Sequence, residues 1–151
     1  MKTIKSTFLL VLAFISSYAI SATTPYEIIQ SFVEKVKSGD SEAQFELGML
    51  YADGQGVKQS YTEAFKWFRL AAEKGLPEAQ LKLGQLYYEG LGVKQSYPEA
   101  FKWFRLAAEK GLPDAQFNLG VSYANGQGVK QSYTEAFKWY ALAAEKGRFA
   151  E

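Results

Sequence analysis

Apolar and small residues recur along this chain at helical spacing, and the spacing itself then recurs as a block. Ala43, Leu47, Gly48 and Tyr51 stand at i, i+4, i+5 and i+8, which gathers them on one face of a helix, here called helix A. Ala64, Trp67, Phe68, Ala71 and Ala72 make a second such stripe on a helix B. The stretch Tyr51 to Gly75 returns from Tyr87 and again from Tyr123, each copy displaced by 36 residues without a gap. A period of roughly 20–50 residues marks a stack of supersecondary units, none of which buries its apolar face alone. The pattern predicts helix–loop–helix units stacked into a solenoid.

The ends of the helices carry their own signals. Asp53-Gly54 should close helix A, because glycine readily takes the left-handed conformation that terminates helices. Ser60 with Glu63 reads as a reciprocal capping box opening helix B, repeated as Ser96 with Glu99 and Ser132 with Glu135. Lys74-Gly75 then stops it, and Pro77 suits the first turn of the next helix A, where its missing N–H has no intrahelical partner. Before the first unit, Glu27-Ile28-Ile29, Phe32, Val36 and Gly39 align without gaps on Glu63-Ala64-Phe65, Phe68, Ala72 and Gly75, with Ser31 where the tryptophan would stand. This half unit reads as a cap made from a diverged helix B, so seven helices and no strands are expected. Trp67 and Phe68 are expected to fill the room left by Ala43 and Gly48. On that basis Leu47→Ala or Trp67→Ala should each cost about 2–5 kcal/mol, and Gly48→Leu more.

Lys2 and Lys5 precede the apolar run Phe8 to Ile15 and then small residues, the arrangement of a cleavable secretory signal peptide, with cleavage before or after Ala22. That run is shorter than the roughly 20 residues of a membrane-spanning helix. The organisation expected is a signal peptide over 1–21, a capping half-repeat over 22–42, and repeats over 43–78, 79–114 and 115–151. Loss of the leader takes the basic count from 17 to 15 against 16 acidic residues, moving the formal charge from +1 to −1. A nearly neutral chain gives no electrostatic case for nucleic acid or anionic lipid. The chain has no histidine and no cysteine, which removes the usual zinc ligands, the Ser-His and Cys-His nucleophile pairs, and disulfide staples. No catalytic residue, metal or cofactor is expected. The Gly-x-Gly segments at Gly54, Gly90 and Gly126 lack the third glycine and the strand of a dinucleotide loop and read as turns.

Ala-x-x-x-Leu-Gly-x-x-Tyr from Ala43, Gly-x-Gly-Val from Gly54 and Ala-x-x-Trp-Phe-x-x-Ala-Ala from Ala64 closely resemble the Sel1-like repeat, and all three copies keep the pattern. The resemblance covers essentially the whole chain after the leader and implies an all-α, right-handed solenoid related to tetratricopeptide repeats. Ser60, Ser96 and Ser132 stand where the family often has aspartate, and Leu70, Leu106 and Leu142 where it often has a charged residue, leaving apolar surface. Cysteine-rich members pair their helices with disulfides, and this chain has none.

Between the copies, helix B barely changes and helix A varies. In tetratricopeptide-like stacks helix A lines the concave face, so the resemblance implies a partner-binding groove along Glu42, Phe45, Met49, Glu78, Leu81, Gln85, Tyr88, Asp114, Phe117 and Val121. It would take an extended peptide or a helix, with aromatic anchors and an acidic margin. The competing reading is drift after duplication, with Phe45, Leu81 and Phe117 merely packing between repeats. The implied function is an exported, non-enzymatic protein–protein interaction scaffold, periplasmic or secreted, with a protein or peptide as partner and no nucleic acid or membrane span. The enzymatic alternative is a β-lactam-binding or hydrolysing activity like that of the cysteine-rich relatives. A eukaryotic lumenal adaptor is weighed against by the ending Phe149-Ala150-Glu151, which is no retention signal. The array stops without a polar closing helix, which suggests self-association through the C-terminal repeat.

Overall fold

A computed structural model describes residues 25–145; the segment expected to be a signal peptide and the ending Arg148 to Glu151, within the undescribed 1–24 and 146–151, lie outside the described residues. Within them stand seven helices and no strand: α1 Pro25–Ser38, α2 Ser41–Asp53, α3 Tyr61–Glu73, α4 Pro77–Glu89, α5 Tyr97–Glu109, α6 Pro113–Asn125 and α7 Tyr133–Glu145. The A helices are α2, α4 and α6, and the B helices α3, α5 and α7. Extensive packing runs between helices consecutive in sequence, so the molecule is an α-solenoid.

Local chemistry sets the helix ends. Gly54 ends α2 with φ 68°, and Gly90 and Gly126 repeat this in α4 and α6. Helix B ends in a Schellman motif: Gly75 N–H donates to the Ala72 carbonyl at 2.9 Å and Leu76 N–H to that of Ala71 at 3.2 Å. Ser60 Oγ accepts from the Glu63 N–H at 3.2 Å, as Ser96 and Ser132 do from Glu99 and Glu135. The reciprocal half of the box is replaced. The Ser60, Ser96 and Ser132 N–H groups donate instead to the Tyr51, Tyr87 and Tyr123 carbonyls, each at 2.9 Å. Glu63 and Glu135 are thereby released to pair with Lys66 at 2.5 Å and Lys138 at 2.6 Å.

Inside each unit a ring lies flat on a glycine. A Cβ at Gly48, Gly84 or Gly120 would fall 2.6–2.7 Å from the ring of Phe68, Phe104 or Tyr140, so only glycine allows the two helices this approach. The tryptophans stay half-buried: Trp103 packs against a cluster of Phe68, Ala72, Leu83 and Leu86, and Trp139 against one of Phe104, Ala108 and Leu119, each cluster drawn from two successive repeats. Leu47 is also only half-buried, whereas its equivalents Leu83 and Leu119 are sealed between two full repeats. The large cavity cost expected at Leu47 therefore belongs to Leu83 and Leu119.

Three contacts join one repeat to the next. Tyr87 meets Phe65 edge-on at 5.4 Å, and Tyr123 meets Phe101 likewise at 5.4 Å. Gln80 Nε2 donates to the Ala72 carbonyl at 3.1 Å and Gln116 Nε2 to that of Ala108 at 3.3 Å, both buried. Lys74 Nζ and Lys110 Nζ reach back across the stack to the carbonyls of Gly39 and Gly75. Leu70 and Leu142 remain exposed and Leu106 half-buried on the opposite side of helix B, the apolar surface anticipated there.

Candidate partner-binding face

Helix A presents rows of equivalent positions, one residue per repeat: Phe45, Leu81 and Phe117; Met49, Gln85 and Val121; Ala52, Tyr88 and Ala124; Asp53, Glu89 and Asn125. Because successive A helices lie side by side with helix B behind them, these rows run along the stack rather than around one helix. Two adjoining depressions interrupt the face. One, of about 160 Å³, lies over α2 and α4 and is lined by Met49, Ala52, Asp53, Tyr61, Phe68, Lys82, Gln85, Leu86, Glu89 and Leu91. The other, of about 270 Å³, lies over α4 and α6 and is lined by Gln85, Tyr88, Glu89, Phe104, Phe117, Asn118 and Val121. Gln85 and Glu89 belong to both, so the two form one interrupted groove.

The structure distributes the ten candidate residues among three environments. Met49, Gln85, Tyr88, Phe117 and Val121 line the depressions. Glu42, Glu78 and Asp114 are exposed in the first turns of α2, α4 and α6, where a carboxylate complements the helix dipole. Leu81 is 8% exposed and joins the core beneath Phe104, so it offers a partner almost nothing. Phe45 stacks at 5.6 Å on Phe68 and Phe117 at 5.4 Å on Tyr140, each ring half-buried. Tyr88 lies 5.2 Å from Tyr97 and 6.4 Å from Phe104, and its hydroxyl is 3.2 Å from Gln127 Oε1 in the next loop. It fills the space that Ala52 and Ala124 leave open in the neighbouring units.

The sequence reading missed Asp53, Lys82, Glu89 and Asn118 on this face, along with Tyr61 and Leu91 from adjoining segments. The signal for Lys82 and Asn118 lay in the same internal variation, since they share a position with Glu46. Asp53 and Glu89 looked like helix termini, and only the folded loop turns them toward the groove. Glu46 has its carboxyl pKa raised, mainly because partial burial disfavours the ion and further because Glu42 and Asp40 repel it, against the attraction of Lys35. Burial likewise raises Tyr140. Among the described residues no cluster of histidine, cysteine, aspartate and glutamate could hold a metal ion, and no helix is long and apolar enough to cross a membrane.

A family model, Sel1 repeat, matches residues 41–76, 77–112 and 113–147. Among solved structures, the chain is similar to a protective antigen present in uropathogenic Escherichia coli strains and displaying an SLR fold. The identity is 39% with a TM-score of 0.81, over 95% of this chain, which spans only 31% of that protein's length. A Sel1 repeat protein from Oxalobacter formigenes is 41% identical with a TM-score of 0.74, over 81% of this chain and 92% of its own. Helicobacter pylori cysteine rich protein B shares the fold, at 21% identity and a TM-score of 0.62 over 83% of this chain and 90% of its own. No match is found among curated proteins.

Proposed function

This chain belongs to the Sel1 repeat family, whose members are commonly protein-interaction scaffolds, and from that premise we propose that its helix-A face binds a protein or peptide without catalysing a reaction. The observation that carries the reading is the pair of adjoining depressions spanning all three A helices, floored by Phe68 and Phe104 and open to solvent. Pockets lined by apolar side chains with a few polar groups at the margin suit side-chain anchors of a bound segment. The test is capture from an envelope extract by the wild-type chain and by a Met49→Arg, Val121→Arg variant with an unchanged melting temperature. Selective loss of one partner in the variant supports the groove; identical recovery by both retires it.

We propose further that the protein is exported to the periplasm or beyond, on the strength of the charged and apolar pattern in its first residues. N-terminal sequencing of the mature protein should begin at Ala22 or Thr23, and a cell-retained form beginning at Met1 refutes export. Against the enzymatic alternative, nitrocefin should not turn over, and clear hydrolysis would reverse the assignment.

A second contact is favoured by α7. Phe137 is 74% and Tyr133 72% exposed, although the equivalent Phe65 and Phe101 are half-buried under the next repeat. Ala144 is exposed where Ala72 and Ala108 are buried. This face is a proposed site of self-association, and light scattering that shows a strict monomer at high micromolar concentration removes it.

A further inference from the structure

We propose that the occupant of the helix-A groove is a cationic protein segment, with lysine or arginine interleaved with aliphatic or aromatic residues, whose charges meet Asp53 and Glu89. This rests on the reading of that face as a binding groove and adds the chemistry of what it takes.

The first two repeats treat the terminal carboxylates of their A and B helices differently. A carboxylate at the C-terminus of a helix opposes the macrodipole and is unfavourable unless neutralised. Two of the three B helices have such residues answered four residues earlier: Arg69 Nε lies 2.8 Å from Glu73 and Arg105 Nε 3.7 Å from Glu109, whereas Glu145 at the end of α7 has Ala141 there and stands away from the groove. Helix A has them at Asp53 and Glu89, the last residues of α2 and α4, where the positions four residues earlier hold Met49 and Gln85. Neither Asp53 nor Glu89 forms an ion pair among the described residues, and neither A helix has a basic residue in its last turn. The arrangement costs the isolated scaffold stability at two equivalent places, both on the groove.

Their surroundings say what would neutralise them. Both are exposed, stand one repeat apart, and border the apolar linings: Met49, Ala52, Leu86 and Leu91 on one side, Phe117 and Val121 on the other. Glu46 adds a third carboxylate on α2, and Lys82 is the single cation on the three A helices. The A helices carry six carboxylates against one lysine, whereas the B helices carry six against five lysines and arginines, so the uncompensated negative charge lies on the A helices. A cation at the end of α2 or α4 would satisfy both the carboxylate and the helix dipole, while an adjoining apolar side chain fills the depression beside it.

The test uses the full chain and three labelled peptides of equal length, alternating leucine and phenylalanine with arginine, glutamine or glutamate, read by fluorescence anisotropy. The arginine peptide should bind at least about tenfold more tightly than the glutamine peptide, and should weaken steeply with salt because the carboxylates are solvent-exposed. The Asp53→Asn, Glu89→Gln double variant should lose about tenfold in affinity for the arginine peptide and none for the glutamine peptide, with its melting temperature no lower than wild type. Equal binding of the arginine and glutamine peptides, sensitive to Met49→Arg, overturns the cationic occupant and leaves the groove standing. Undiminished binding of the arginine peptide by the double variant overturns the proposal by placing the contact elsewhere. Absence of binding by all three peptides overturns the proposal and the groove together.

Discussion

At the residue scale, equivalent positions acquire different meanings from what lies opposite them. Gly90 and Gly92 both have φ near 70°, at 73° and 68°, so both favour glycine in the turn between α4 and α5. A Cβ on Gly90 would lie 3.1 Å from Gln95 Cβ, whereas one on Gly92 would overlap the Tyr61 carbonyl of the preceding repeat. Gly92→Ala should therefore cost more than the ~1 kcal/mol expected of left-handed strain alone, and clearly more than Gly90→Ala, when the two are compared by urea unfolding. Glu46 gives a pH-dependent case. Its pKa is raised in the folded state, so folding favours its protonated form. Its contribution is fully present below the ordinary carboxylate pKa and is lost as pH rises through the raised value. Glu46→Gln should raise the melting temperature slightly at neutral pH, and the difference should vanish on acidification below that window.

At the element scale, a cap and a buried amide separate what sequence signatures suggest from what the folded chain uses. Ser96 Oγ accepts from Glu99 N–H, but the Ser96 N–H is taken by the Tyr87 carbonyl. Ser96→Ala should accordingly cost about 1 kcal/mol. Glu99→Ala should cost only a few tenths, the scale of its exposed pairing with Lys102 at 3.9 Å. Thermal unfolding of the two variants decides this, since a reciprocal box would make them equal. Gln80 is 3% exposed, and its Oε1 has no partner while its Nε2 serves the Ala72 carbonyl. That carbonyl also accepts from Gly75 N–H, so it stays satisfied without the glutamine. Gln80→Met should change stability by less than about 1 kcal/mol, whereas Gln80→Ala, which opens a cavity between α3 and α4, should be the more damaging of the pair.

At the scale of the whole molecule, stability is a chain of nearest-neighbour interfaces, and a lesion matters by how many of them it breaks. Phe104 is buried in the middle unit and Tyr140 half-buried in the last. Phe104→Ala should cost about 3–5 kcal/mol and broaden the unfolding transition as both neighbours uncouple, while Tyr140→Ala costs less and leaves the first two units cooperative. Calorimetry of the two variants distinguishes these outcomes.

Much of this scaffold was legible in the amino acids because its signals are local. The 36-residue period, the stripes on both helices, the glycine stops and the serine caps depend on residues within one or two helical turns, and they determine seven helices stacked in order. Tertiary structure decided everything that depends on a residue from another repeat. Trp67 and Phe68 are adjacent apolar residues that periodicity cannot rank, yet Phe68 is buried on the glycine of its own unit, and the equivalents of Trp67 stay half-buried at the edge of clusters shared between units. Leu47 carries the same local pattern as Leu83, and only the neighbour on its far side leaves it half-open. Asp53 and Glu89 read as helix termini, and folding brings them to the edge of apolar depressions, where neither forms an ion pair among the described residues. Local interactions choose the elements, whereas the pairing of surfaces between elements is set by geometry that no single repeat contains.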